Sequence, residues 1–142
     1  MCKWLKFNAI TLATTDMARS CAFYEALGLK RSFGGDDAPF TTLSSFVGDA
    51  RQAMHVNLYR DESSERRGGW GRWVVYVDDV DAMHARALAA GITPEFAPSD
   101  ASWGERHFHV RDPMGHEVSF ATPIEGHPRW EGYVLPGRGS AL

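Results

Sequence analysis

Asp16-Met17 opens an apolar, helix-like run that closes at Leu27-Gly28-Leu29, and Asp79-Val80 opens a second that closes at Ala90-Gly91-Ile92. The two openings and the two closings are both 63 residues apart (79 − 16 and 91 − 28). Each run follows a strand-like segment, Asn8–Thr14 or Arg72–Val77. A self-similar period fixes architecture before any single element is read. The unit is too long for a solenoid and occurs only twice. The pattern therefore predicts a duplicated module of order β-α-β-β-β, an α+β fold in which two modules form an eight-stranded open cup.

Working outward from the repeat, Ile10 and Leu12 share one face of the first strand, and Ala9, Thr11 and Ala13 the other. Asp16 or Thr15 caps the helix, and Met17, Ser20, Cys21, Tyr24 and Leu27 keep helical spacing. Gly28 suits the position just beyond a helix end, where a left-handed backbone is cheap. The last strand of module one is read as Ala53–Tyr59. Asp61–Gly69 is polar and glycine-ended and reads as a linker.

In the second half, Trp73, Val75 and Val77 share the helix-facing side of their strand, and Arg72, Val74 and Tyr76 the other. The helix stripe is Val80, Met83, Ala87 and Leu88. A short strand is expected at Glu95–Ala97, with longer ones at Arg106–Val110 and Glu117–Thr122, and a turn at Asp112-Pro113-Met114-Gly115. The chain is read as one domain over 1–142. Module one covers about 7–60, the linker 61–69, module two about 70–123 and a tail 124–142, loose over Gly137–Leu142.

Bulk properties narrow the function. The 142-residue chain is 44% hydrophobic, enough for an ordinary core, and carries a net charge of −3 with no basic block. A nucleic-acid partner needs a concentrated positive face, so none is expected. No apolar run approaches the ~20 residues that span a bilayer. No signal-peptide h-region is visible at Met1–Lys6. Cys2 and Cys21 suggest neither a zinc spacing nor a disulfide framework, and Cys21 is expected in the core. These readings place the protein in a reducing cytoplasm without a membrane.

A strict period of two puts one set of side chains opposite the helices: Ala9, Thr11, His55, Asn57, Tyr59, Arg72, Val74, Tyr76, Glu117, Ser119 and Ala121, with His107 and His109. Five tryptophans, Trp4, Trp70, Trp73, Trp103 and Trp130, are many for this length. Trp73 reads as core. Trp70 and Trp103 lie in loop-like segments, where ring faces can stack planar ligands. His84 and His127 read as exposed.

The duplicated pattern resembles the vicinal-oxygen-chelate superfamily, which holds glyoxalase I, extradiol dioxygenases and bleomycin-resistance proteins. The carrying residues are Thr15-Asp16-Met17-Ala18-Arg19-Ser20 with Phe23-Tyr24 and Leu27-Gly28, then Val77-Asp78-Asp79-Val80-Asp81, then Arg111-Asp112-Pro113-Met114-Gly115-His116. The stretch from Trp103-Gly104-Glu105-Arg106 into Arg111-Asp112-Pro113 is most similar to the bleomycin-resistance branch. The resemblance implies metal-ligand positions that fall here on Ala9, Arg72 and Ser119, with Asn57 as a fourth. Iron, zinc or nickel takes imidazole, thiolate or carboxylate donors. Arginine offers none and keeps its charge. At an effective dielectric of ~20 a divalent ion ~4 Å from a guanidinium is opposed by about 8 kcal/mol.

Two functions follow as expectations. The first is binding and sequestration of an amphipathic, planar, antibiotic-like molecule without metal chemistry, in a homodimer, as in the bleomycin-resistance branch. Tyr59, Tyr76, Trp70 and Trp103 would form walls or stacking surfaces, and Asn57, Arg72 and Ser119 polar contacts. An acidic group on the ligand would suit Arg72, which argues against a strongly cationic drug. No cofactor is needed. The alternative is a lyase, isomerase or dioxygenase with a displaced Fe, Zn, Ni or Mn site drawn from His55, His107, His109 and Glu117. Otherwise Glu117 simply pairs with Arg72.

Overall fold

The computed structural model describes residues 2–3, 5–45, 53–63 and 68–135. Trp4, the 64–67 part of the expected linker and the loose end expected at Gly137–Leu142 lie outside the described residues. The chain divides into two compact units, Met1–Glu65 and Arg66–Leu142.

The first unit runs β1 (Ala9–Thr14), α1 (Met17–Ala26), β2 (Lys30–Phe33), β3 (Phe40–Ser44) and β4 (His55–Arg60). The second repeats the order as β5 (Arg72–Tyr76), α2 (Val80–Ala89), β6 (Ser99–Asp100), β7 (Glu105–Arg111) and β8 (Glu117–Pro123). The strand orders are β1-β4-β3-β2 and β5-β8-β7-β6. In each sheet the first strand pairs parallel with the last and the other pairings are antiparallel. The fold is α+β, built from two mixed sheets of identical topology.

The matching caps explain why the halves fold alike. Asp16 and Asp79 each adopt an extended backbone and accept a hydrogen bond from the amide three residues on, Arg19 and Ala82. Both helices end in a left-handed glycine, Gly28 at φ 103° and Gly91 at φ 75°. The residue beyond each glycine bonds back into the last turn, Leu29 to the Tyr24 carbonyl and Ile92 to that of Ala87. Satisfied end groups at both termini hold ten-residue helices that propensity alone leaves marginal.

In the first unit α1 packs on β3 and β4, burying Met17, Cys21 and Tyr24 over Leu43, Val56 and Leu58. Burial also pushes the Cys21 thiol above its ordinary pKa, as befits a core residue rather than a nucleophile. In the second unit α2 lies over the two central strands, β7 and β8. Val80 and Ala87 are buried there over Phe108, Val118 and Phe120.

Three expectations need correction, and the tail adds a feature that was not anticipated. Leu88 is 54% exposed, because a helix resting on two strands buries a narrower stripe than the spacing suggested. Trp73 and Val75 are only half-buried, since β5 is an edge strand and α2 packs chiefly on β7 and β8. The strand expected at Glu95–Ala97 forms instead at Ser99–Asp100. Prolines 94 and 98 flank the earlier segment and lack N–H groups for a ladder; Glu95 alone bonds, to the His109 carbonyl at 2.9 Å. The tail packs back: Pro128–Trp130 forms a 3₁₀ turn, with Trp130 buried and donating to the Gly104 carbonyl at 2.6 Å.

Glycine geometry offers a controlled test of the first unit. A Cβ on Gly34, at φ +76°, would stand 2.3 Å from the Phe40 carbonyl oxygen, whereas one on Gly35 meets nothing within 4 Å. Gly34→Ala is expected to cost at least ~1–2 kcal/mol from the left-handed backbone alone, and Gly35→Ala no more than about half a kcal/mol. Urea unfolding of the two variants checks the contrast; equal losses would contradict the geometry.

Candidate functional site

Strand register in the second unit decides which side chains meet. Glu117 lies opposite Arg72 on one side and Arg111 on the other, Ser119 opposite Val74 and His109, and Ala121 opposite Tyr76 and His107. All project from the sheet face that α2 does not cover. The turn between β7 and β8 sets this register. The Asp112 carboxylate accepts from the Met114 and His116 amides at 2.9 Å each, and the Asp112 N–H donates to the His116 carbonyl at 2.9 Å.

At one end of this face is a charged cluster. Arg72 Nε stands 2.9 Å from Glu117 Oε1, and Arg111 Nη2 donates to Glu117 Oε2 at 2.9 Å. Arg111 Nε reaches Glu95 Oε1 at 2.6 Å. His109 Nδ1 lies 3.3 Å from Glu117 Oε1 and 3.8 Å from Glu95 Oε2. The Glu117 and His109 side chains keep only 10% and 8% of their exposure, while Arg72 keeps 50%. Arg72 Nε is close to Glu117 Oε1, yet that oxygen receives no aligned hydrogen bond; the contact is ionic rather than directional.

Arg72 Nη1 also approaches His109 Nε2 at 2.9 Å. The same Nη1 stands 3.3 Å from His109 Nδ1, so the guanidinium lies against the imidazole ring and addresses both of its nitrogens. Burial first, and the neighbouring Arg72 charge second, hold His109 below its ordinary pKa, against the opposing pull of Glu117 and Glu95.

Rings extend the face away from the cluster. His109 and His107 have centroids 5.3 Å apart, and His107 and Trp103 5.4 Å. Phe96 abuts both imidazoles edge-on, at 4.9 Å from His109 and 5.4 Å from His107. His107 Nδ1 is buried without a hydrogen-bond partner among the described residues. The far end is fixed by Glu105, which accepts from the Tyr76 hydroxyl and from Trp103 Nε1, the latter at 2.8 Å. Burial and Glu105 raise the Tyr76 phenol well above its usual range, so it stays a neutral donor.

The expected site residues distribute unevenly. Arg72, Tyr76, Trp103, His107, His109 and Glu117 share this face. Ser119 shares it as well but is 4% exposed, floor rather than contact. Trp70 stands apart, its Nε1 donating to His116 Nδ1 at 2.8 Å. Asn57 and Tyr59 belong to the first unit. There Asn57 accepts from the Thr42 hydroxyl at 2.8 Å and donates to Thr11 Oγ1 at 3.2 Å, joining three strands, while Tyr59 is exposed at the end of β4. His55, also in that unit, shares a 2.7 Å hydrogen bond with Ser44 and is bound into its own sheet. His84 and His127 are half-buried rather than exposed. The His84 ring meets Phe108 edge-on, and His127 caps the 3₁₀ turn against Gly104.

Arg111, Glu105 and Glu95 were not anticipated in a site role, nor was Phe96, whose ring comes from the same loop as Glu95. Arg111 and Glu105 were legible, because the alternation that selects His107 and His109 also selects 105 and 111. Glu95 was not, since it reaches the cluster from a loop.

A duplicated β-α-β-β-β unit with this strand order defines a paired-module α+β protein. A family model described as the Glyoxalase/Bleomycin resistance protein/Dioxygenase superfamily matches residues 6–120, and the chain belongs to that superfamily. Solved structures of similar fold include a bleomycin resistance determinant encoded on transposon Tn5, with a TM-score of 0.68 at 21% identity over 84% of this chain and 98% of that one. Another is a lactoylglutathione lyase from Agrobacterium tumefaciens, at 0.64 and 20% over 82% and 92%. Curated relatives are uncharacterized proteins of Mycobacterium bovis and Mycobacterium tuberculosis, each 48% identical over 48 residues, or 34% of this chain. The match spans only 32% and 28% of those relatives' own length.

Resemblance to the superfamily's metalloenzymes implied four metal-ligand positions. Ala9, Arg72, Ser119 and Asn57 do not fit. Arg72 is a cation already engaged with Glu117 and His109, Ser119 is a buried hydroxyl, and the Asn57 amide is committed to Thr11 and Thr42.

The His109 environment sets a pH dependence. Its pKa is lowered by folding from the model-peptide 6.5, so the unfolded chain takes up this proton first as pH falls. The contribution of His109 to stability is therefore complete above about pH 6.5 and declines below it, until the folded value is reached. Arg72→Ala is expected to raise the His109 pKa, because a depressing charge is removed. Imidazole NMR titration of both proteins checks the sign; an unchanged or lower value would contradict it.

Proposed function

We propose that this chain binds and sequesters a planar, amphipathic small molecule carrying an acidic group, by way of the helix-free face of its second unit and without metal chemistry. One observation carries the reading. At a position where the superfamily's metalloenzymes place a ligand stands Arg72, half-exposed and held from behind by Glu117 and His109. Half of the Arg72 side chain stays open to solvent, so the guanidinium can take a carboxylate while keeping the Glu117 contact. The adjoining rings of His109, His107 and Trp103 supply faces for an aromatic body.

The Tn5 resistance determinant and a bleomycin-binding protein solved with bleomycin, similar in fold at TM-scores of 0.68 and 0.65, support small-molecule binding as the kind of activity. Antibiotic resistance, homodimeric assembly and a cytoplasmic location belong to the same proposal. The free thiols of Cys2 and Cys21 accord with a reducing compartment. Among the described residues no helix is long and apolar enough to cross a membrane.

The test is a thermal-shift screen of aromatic carboxylates against aromatic cations, including bleomycin, followed by calorimetry. Arg72→Ala is expected to weaken the best acid by about 1.5–3 kcal/mol, roughly ten- to a hundred-fold, with the fold retained. Preference for cations, or unchanged affinity in the folded variant, would overturn the reading. Light scattering at micromolar concentration is expected to give twice the chain mass; the monomer mass would remove the dimer.

A metal-dependent lyase, isomerase or dioxygenase is the second reading, favoured by the convergence of Glu95, His109 and Glu117 donor atoms within 4.8 Å. Stoichiometric iron, zinc, nickel or manganese in the purified protein would promote it.

A further inference from the structure

The Glu95–His109–Glu117 cluster has the form of a metal site with its cation already supplied by the chain. Its three donor atoms lie within 4.8 Å of one another, and His109 Nδ1 is 3.3 Å and 3.8 Å from the inner oxygens of Glu117 and Glu95. Metal–donor bonds of ~2.0–2.2 Å at tetrahedral angles separate donors by about 3.4 Å, so little movement is needed. The outer oxygens, Glu95 Oε1 and Glu117 Oε2, are held by Arg111 at 2.6 Å and 2.9 Å. Such an outer partner orients a ligating carboxylate.

A second observation points to a cation. Glu117 is more than nine-tenths buried, yet its inner oxygen receives no aligned hydrogen bond. A buried carboxylate oxygen in that state calls for a positive charge. Arg72 supplies it, with Nε 2.9 Å from that oxygen and Nη1 2.9 Å from His109 Nε2. With neutral His109, two glutamates and two arginines sum to zero. A divalent ion would leave an excess of two positive charges. Without Arg72 the cluster is negative by one and the same ion is attracted.

We propose that Arg72 is the resident cation of a masked Glu95–His109–Glu117 metal site, so that guanidinium and divalent ion are mutually exclusive occupants. The face is thereby kept as a receptor for oxyanions, with the charge that recruits them fixed in the chain and insensitive to metal supply. The proposal concerns the same face as the ligand reading but requires no ligand, so either can fail alone.

The experiment titrates zinc into the full chain at pH 7.5 by calorimetry and follows cobalt by its visible absorption. Arg72→Ala is expected to bind one equivalent at least ten-fold more tightly than wild type, and Arg72→Lys, which keeps a cation, to stay with wild type. Arg72→Gln, closer in bulk, replaces the alanine variant if circular dichroism shows the latter unfolded. Adding His109→Ala to the neutral variant is expected to return affinity to the wild-type level. Tight one-to-one binding by wild type, no gain in a folded neutral variant, or a gain that survives His109→Ala would each overturn the proposal.

Discussion

The Glu117 carboxylate is the group on which the second unit turns. It is nearly removed from water, and an unpaired charge there would be intolerable. Arg72 from β5 and Arg111 from β7 meet it from opposite sides, so one charge triad crosses three neighbouring strands. Such triads contribute little net stability, because desolvation offsets much of the attraction. What this one fixes is alignment. The three charges come together only in the register Arg72↔Glu117↔Arg111, and His109 and Ser119 take their places from it.

The same face runs from charge to aromatic surface. Arg72 and Glu117 stand at one end, and at the other Glu105 gathers the Tyr76 hydroxyl and the Trp103 indole. Both carboxylates work as fasteners, each committed to donors on other parts of the chain. The half-exposed groups between and around them, Arg72 and Trp103 above all, are held by groups more buried than themselves. A binding surface built this way loses little conformational freedom when a ligand arrives.

Much of this was legible in the sequence. The 63-residue spacing of two aspartate caps and two terminal glycines carried the duplication, and both caps form. Alternation placed Arg72, Tyr76, Glu117, His107 and His109 on one side, and the Arg72–Glu117 pair followed from parity. The shortfalls have physical causes. Parity names a face but not its cover, so Trp73 and Leu88 were assigned to a core that α2 does not provide. No periodicity links a loop to a strand, so Glu95 was missed although its amide bonds the His109 carbonyl.

The Asp112 turn has a consequence for how such a chain can vary in length. Five residues, 112–116, separate β7 from β8, and the Asp112 side chain ties down two of their amides. Gaining or losing one residue there would rotate every β8 side chain to the opposite side. Glu117 would be driven under α2, and after a deletion Val118 would take its place between two arginines. Among descendants of such a gene, single-codon insertions and deletions should be tolerated in the polar stretch after β4 and purged between β7 and β8. The turn is therefore a frame-keeping element, and its length is inherited along with the chemistry of the face it sets.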